Sequence, residues 1–313
     1  LAETETRPAD LPGLARALLA EKLTDVCTPF VKNEPHPSRK KLRERIVVAI
    51  SIVDQLVELA LFGDLIDEVH AWYPFLEVIS GIGFSDSLSR QICDVYTQRC
   101  DENPGRYPAS DDVKGWSRTL SCQRSDHAWE VWMESCENLS PRAARAMRNR
   151  MRAIQVPIYV IRERGVCTLY ERITPGGMAS GSRLTTIGNG TARVASLYET
   201  GGLAPMANGD DGLSWRDENQ SLDEVVRNYE DLGLEVRGLT ACSRDYFEFC
   251  SHGFDTKTGK SWLLSWPKAL FRLGTRKTVT QELVVDFLRE VRHHPRLPEF
   301  LGAVSRLDVT AAE

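Results

Sequence analysis

The 313-residue sequence has no C-x-x-C pair, no cysteine and histidine cluster at zinc-ligand spacing, no internal repeat and no low-complexity tract. Its eight cysteines (Cys27, Cys93, Cys100, Cys122, Cys136, Cys167, Cys242 and Cys250) are scattered singly. That argues against a disulfide framework or a structural zinc, and for reduced, mostly buried thiols in an intracellular protein. The longest apolar stretch, Ile46 to Phe62, is broken by Asp54, Gln55 and Glu58 and is therefore no membrane span. No signal-peptide pattern opens the chain, and Leu1 in place of an initiator Met reads as a fragment or a processed product. Strong charge of one sign is missing too. With a net charge of -5, any attraction for a polyanion has to come from local clusters. What remains is a globular composition with enough chain for one large domain or two to three subdomains.

The stretch around which the chain is organised is Met206-Ala-Asn-Gly-Asp-Asp-Gly-Leu-Ser-Trp215. Apolar runs flank a turn signal, which reads as a β-hairpin with Gly209, Asp210 and Asp211 at its tip. Two adjacent carboxylates repel each other and call for a cation, and oxygen donors with few fixed ligands suit Mg²⁺ or Mn²⁺. Taken alone, the same residues read first as a solvated turn with no function.

Other segments give it company. Leu11, Leu14, Leu18, Leu19 and Leu23 have helical spacing. Lys32, Arg39, Lys40, Lys41, Arg43 and Arg45 gather in a Pro-broken loop that leads into the apolar strand Ile46 to Ile50. Arg43 and Arg45 are two apart and share a face of an extended backbone. Ser51 to Phe62 reads as a helix with Ile52, Leu56, Leu59 and Ala60 inward, followed by more helical patterning to Arg99. Asp101 to Ser110, rich in Pro, Gly and Asp, reads as a subdomain junction. Asp111-Asp-Val-Lys-Gly-Trp-Ser117 supplies a second acidic position, either a metal ligand or a helix cap. Ser125 to Arg152 reads as one helix or two, capped by Ser125 or Asp126. Val156 to Ile161 and Val166 to Tyr170 form a hairpin. A Gly-rich loop then runs into a helix, with Ser180, Gly181 and Ser182 where amides and hydroxyls can meet a ligand, and with Thr185 and Asn189 on one helix face. Gln220 to Leu234 is a helix stopped by Gly233, and Phe247 to Phe254 with Trp262 to Trp266 reads as a further hairpin. Among its residues, His252 reads as a hydrogen-bonded structural histidine.

In this order the stretches resemble the viral RNA-directed RNA polymerases, above all the sobemovirus and polerovirus group, over roughly Pro29 to Leu273. The resemblance rests on Val31-Lys-Asn-Glu-Pro-His-Pro through Arg45, Val53 to Glu58, Asp112-Val-Lys-Gly-Trp, Ser180-Gly-Ser with Thr185 and Asn189, Gly209-Asp-Asp211, and Phe249 to Phe254. It implies an α+β right-hand fold with an antiparallel-sheet palm, partial fingers and a small helical thumb. The implied division is partial fingers over 1–105, palm with an inserted fingers hairpin (about 153–175) over 106–255, and primer grip and thumb over 256–313. It further implies RNA synthesis on a template, with Asp112 and Asp210 binding two Mg²⁺ (or Mn²⁺) ions and Asp211 assisting. Lys32, Arg43 and Arg45 would hold the triphosphate, and Ser180, Gly181, Thr185 and Asn189 the nucleotide and template. RNA template and primer, nucleoside triphosphates and a viral genome-linked protein are the implied partners, in a replication complex in the host cytoplasm. A non-catalytic RNA-binding relic is the alternative.

Two departures from the family pattern stand out. The acidic residue that helps recognise the ribose 2′-hydroxyl is replaced by Ser117. No lysine occurs between Lys114 and Lys257, so the lysine that protonates pyrophosphate has Arg237 as its nearest counterpart, and an arginine holds its proton too tightly to donate it well.

Overall fold

A computed structural model describes residues 2–4, 26–32, 45–81, 83–164, 166–171, 176–307 and 309–310. The helix expected between Leu11 and Leu23 lies outside them. The chain opens with β1 (Ala2–Thr4), β2 (Thr28–Lys32) and β3 (Arg45–Ala49). β2 and β3 pair antiparallel, Lys32 opposite Arg45.

Ser51 then caps α1 (Ile52–Ala71), its hydroxyl accepting the amide of Asp54 and so satisfying one of the unpaired donors of the first turn. Here the structure reverses an expectation. The inward face of α1 carries Asp54, Glu58, Phe62 and Val69, whereas Ile52 and Leu56 are 66% and 57% exposed and Leu59 is exposed as well. The reason is a buried cation. Arg150 lies 3.0 Å from Asp54 and 2.7 Å from Glu58, and carboxylates four residues apart on one helix face can grip one guanidinium.

After α2 (Asp86–Glu102) the expected junction shrinks to residues 103–105, because β4 (Arg106–Val113) begins at once. There follow α3 (Trp116–Thr119), α4 (Cys122–Glu134) and α5 (Pro141–Gln155). The cap of α4 is Ser121, which accepts the Arg124 amide, and not Ser125 or Asp126. β5 (Ile158–Glu163) and β6 (Val166–Glu171) form the expected hairpin, with β1 added at the β6 edge.

The central sheet is built from β4 together with elements that follow α6 (Thr185–Glu199): β7 (Leu203–Asn208), β8 (Asp211–Asp217) and, after α7 (Leu222–Asp231), β9 (Val236–Ala241). Its order is β7-β8-β4-β9, antiparallel throughout. One face packs Met206, Leu213 and Trp215 against Ile92 and Tyr96 of α2. The other meets α6 and α7 through a core that includes Val113, Trp116, Trp129, Ala192, Val225 and Tyr229.

β10 (Tyr246–Phe249), β11 (His252–Asp255) and β12 (Lys260–Leu263) make a meander in place of the single hairpin read from the sequence. Its first turn holds Cys250 and Ser251 at φ +52° and +58°. Turns with two positive φ values usually carry Asn or Gly, so this one left no signal. The C-terminal part is α8 (Trp266–Gly274), β13 (Val279–Thr280), α9 (Gln281–Val291), α10 (Leu297–Val304) and β14 (Val309–Thr310), closed around Phe287, Val291 and Phe300. No disulfide joins any of the eight cysteines, but only Cys27 and Cys93 are buried and Cys167 is exposed, so the thiols are less buried than expected. No described helix is long and apolar enough to cross a membrane.

Candidate active site

Side chains alternate along a strand, and this alternation separates the two aspartates at the end of β4. Asp112 stands opposite Asp211 of β8, whereas Asp111 stands opposite Gly212. Asp112 and Asp211 therefore share one face and Asp111 points to the other. Gly209 and Asp210 are the two turn residues between Asn208 and Asp211, so Asp211 starts a strand instead of sitting at the tip. Gly209 takes φ +63° with open space around it. Conformation, not crowding, requires glycine there.

Three carboxylates, from β4, from β8 and from the turn before β8, thus meet at one end of the sheet. Like charges facing each other across strands repel, and the Asp211 carboxyl is pushed up to about 6 by burial and by the charges of Asp210 and Asp112. Asp112 receives Arg237 of β9 through Nε at 2.8 Å and through Nη2. More than half of the Arg237 side chain is exposed, so solvent screens the pair and it is easily displaced. Among the described residues no three His, Cys, Asp or Glu side chains form a finished metal site. The chemistry of the donors nonetheless fits a hard divalent cation: carboxylate oxygens, one of them raised by its neighbours, beside a displaceable arginine.

The raised Asp211 has a consequence for stability. An acid whose pKa rises on folding holds its proton more tightly when folded, so it favours the fold below pH 4 and loses that contribution as pH rises through about 6. The loss is about 1–2 kcal/mol after allowing for the solvent that still reaches this side chain. We expect the thermal midpoint of the metal-free protein to fall across this window, and Asp211→Asn to flatten the fall. An unchanged slope in the variant would assign it to other groups.

Beneath the turn lies a cluster that the sequence reading did not single out. Arg193, one helical turn after Asn189, is fully buried with its guanidinium 5.4 and 5.2 Å from the ring centroids of Trp116 and Tyr229. Its Nε donates to the Asp210 carbonyl at 3.2 Å, its Nη1 to Tyr229 Oη at 2.9 Å, and its Nη2 pairs with Asp111. Tyr229 in turn donates to Asp111 Oδ2 at 2.8 Å. Arg216, also fully buried, lies 3.7 Å from Asp111 and donates to the Thr200 carbonyl at 2.7 Å. Two guanidiniums share one carboxylate, and Arg193 opposes the rise of the Asp211 pKa from below. A Cβ on Gly212 would stand 2.9 Å from Arg193, so this glycine is what lets the guanidinium reach the turn. The sequence signal was the four-residue spacing Thr185, Asn189, Arg193, read only as far as Asn189.

Asn189 is 3% exposed and its Oδ1 has no hydrogen-bond partner among the described residues. By helical spacing it shares the face of α6 that carries Arg193. A buried acceptor without a donor is costly, and a hydroxyl of a bound molecule would satisfy it. Ser117 is tied to the Gly-rich loop, its carbonyl accepting the Met178 amide at 3.0 Å.

The loop packs against β3. Ser180 Oγ accepts the Val48 amide at 3.1 Å, and a Cβ on Gly181 would fall 2.4 Å from the Val48 carbonyl oxygen. Ser182 departs from expectation, since its hydroxyl donates inward to Glu58 Oε1 at 3.0 Å and does not face a ligand. The Thr185 hydroxyl is likewise used, donating to the Ser182 carbonyl at 2.7 Å. Arg45 starts β3 three residues before Val48, or about 10 Å along the strand, with Lys32 opposite it. Arg43 lies outside the described residues. On the far side of the turn, Asn208 Nδ2 donates to Cys250 Sγ at 3.3 Å. The Cys250 thiol is pushed well up by burial and by the Asp211 and Asp210 charges. His252 is buried, stacked on Phe84 and hydrogen-bonded to the Cys250 carbonyl, in keeping with a structural role.

A family model for viral RNA-directed RNA polymerase matches residues 122–258, which include the loop and the acidic hairpin but begin after Asp112. The chain is 28% identical over 321 residues to the replicase polyprotein P2AB of Southern cowpea mosaic virus, a match covering 97% of this chain and 31% of that protein. To protein P1-P2 of Turnip yellows virus it is 28% identical, covering 91% of this chain and 28% of that one. The chain therefore spans less than a third of these curated relatives. Among solved structures it resembles the RNA-dependent RNA polymerase of a human picobirnavirus, in a variant lacking an insertion loop, with a TM-score of 0.65 and 16% identity over 94% of this chain and 64% of that one. At that identity the likeness is one of fold. In sequence the chain is similar to viral RNA-directed RNA polymerases and to replicase proteins of the sobemovirus and polerovirus group, and in fold to a viral RNA-dependent RNA polymerase.

Proposed function

We propose that this chain extends an RNA primer on an RNA template by nucleotidyl transfer assisted by two divalent cations. The observation that carries the reading is the convergence of Asp112, Asp210 and Asp211 at one end of the central sheet, where burial and then the charges of Asp210 and Asp112 raise the Asp211 carboxyl. Mg²⁺ or Mn²⁺ held there would lower the pKa of the primer 3′-hydroxyl and neutralise charge on the transferring phosphoryl. The residues supply the rest. Asp112 would be among the residues that hold the cation, and Arg237, whose exposed side chain now pairs with Asp112, would be the nearest guanidinium to serve as electrostatic partner for departing pyrophosphate. Arg193 keeps the Asp210 backbone in place. Lys32, Arg43 and Arg45 neutralise the triphosphate, Ser180 and Gly181 border the template and nucleotide, Thr185 helps fix the start of α6, and the unpaired Asn189 Oδ1 accepts a sugar hydroxyl.

In this reading residues 1–105 are partial fingers, 106–255 the palm and 256–313 the primer-grip remainder and thumb. RNA and nucleoside triphosphates are the substrates, a genome-linked viral protein is a further partner, and the setting is a replication complex in the host cytoplasm. The test is incorporation of labelled ribo- and deoxyribonucleotides on a primed RNA template with Mg²⁺ or Mn²⁺. Ser117 gives a graded outcome. A neutral hydroxyl holds a sugar less strongly than a carboxylate, so Ser117→Asp is expected to raise the ribo-to-deoxy ratio by roughly tenfold. An unchanged ratio would remove Ser117 from sugar selection. The pairing of Asp112 with Arg237 favours a second reading, a non-catalytic RNA-binding relic. It predicts RNA binding that is insensitive to Asp210→Asn, and no incorporation at all.

A further inference from the structure

We infer that Glu58 is a positioning residue that holds the Gly-rich loop and the start of α6 in register over the acidic hairpin. The inference rests on the polymerase reading for its effect on nucleotide use, but not for its effect on the loop. Glu58 is fully buried and both its oxygens are engaged. Oε1 accepts from Arg150 Nε at 3.0 Å, Arg150 Nη2 at 2.7 Å and Ser182 Oγ at 3.0 Å, while Oε2 accepts the Arg183 amide at 2.8 Å. Asp54, one turn earlier on α1, takes Arg150 Nη1 at 3.0 Å. Two carboxylates and one guanidinium are thus removed from water on a helix whose apolar stripe faces outward, and a stability argument alone would favour the reverse. What the arrangement secures is the loop. Ser182 also accepts the Leu184 amide at 3.1 Å, and the residue at the N-cap of α6, Leu184, has no capping side chain of its own. Glu58, anchored by Arg150, supplies a distant carboxylate at the helix end that favours negative charge. Asn189 and Arg193 ride on the helix so placed.

The experiment compares Glu58→Gln, Glu58→Asp and Ser182→Ala with the parent by hydrogen exchange and by steady-state incorporation. Glu58→Gln keeps the length but loses the charge, and Glu58→Asp keeps the charge but falls short of the Arg183 amide. If Glu58 positions the loop, both variants speed amide exchange over residues 179–186 at least tenfold while β4 and β8 stay protected, and KM for nucleotide rises about tenfold with kcat changed less than threefold. Ser182→Ala, which leaves the ion pairs intact, shows the same local exchange in weaker form and covers the case in which a Glu58 variant fails to fold. Full restoration by Glu58→Asp, or exchange that rises equally across α1 and α5, would reduce Glu58 to a partner of Arg150 and overturn the proposal. If the parent incorporates nothing, the polymerase reading fails, and the exchange pattern still decides the role of Glu58.

Discussion

Asp112→Asn and Asp210→Asn are each expected to lower nucleotide incorporation by at least about a hundredfold while leaving the fold intact or slightly more stable. Each change deletes a carboxylate from a group of three whose repulsion adds to burial in raising the Asp211 pKa, and the neutral amide is nearly isosteric. A site arranged for a cation costs the cation-free protein stability, so loss of activity should accompany no loss in thermal midpoint. Incorporation and melting measured on the same preparations check this. Retention of more than a tenth of parental incorporation in both variants would count against the three carboxylates as the reacting centre.

The neighbouring residue should behave in the opposite way. Asp111→Asn leaves Arg193 and Arg216 buried without their counter-ion, and breaking a buried pair by removing one partner costs about 3–5 kcal/mol. Arg193→Met should cost a similar amount, since it leaves Asp111 with only the longer contact to Arg216 and the Tyr229 hydroxyl and removes the donor to the Asp210 carbonyl. Denaturant unfolding measures the loss. Where the variants remain folded at low temperature, Arg193→Met should still incorporate poorly, because the acidic turn proposed as catalytic has lost its support from below. Asp111→Asn, if folded and no less stable than the parent, would show that this buried cluster is dispensable.

These two predictions turn on one residue of register, and they show where sequence reading stopped. Asp111 and Asp112 are adjacent and chemically identical, and the motif pattern favoured Asp112 only by resemblance. The pairing of Asp112 with Asp211, and of Asp111 with Gly212, assigns one to the open end of the sheet and the other to the buried ion cluster. The acidic hairpin, the Gly-rich loop and the β5-β6 hairpin were legible because each is written in local conformational chemistry: glycine at a positive φ, short polar caps and alternating apolar residues. The inward face of α1 was not, because Ile52, Leu56 and Leu59 have the spacing of a core stripe, and only Arg150, ninety-two residues after Glu58, explains why charge lies inside.

The sequence by itself thus determined the order of the elements, the turn that carries Asp210 and the loop that precedes α6, since all three follow from interactions between residues near one another in the chain. Which aspartate faces the open end of the sheet, which serine is spent, and what supports the acidic turn were decided only by the tertiary structure. Asp111 with Arg193, Ser182 with Glu58, and Asp112 with Arg237 are partners 82, 124 and 125 residues apart, and the free energy of burying a charge depends on a counter-ion that no local pattern records.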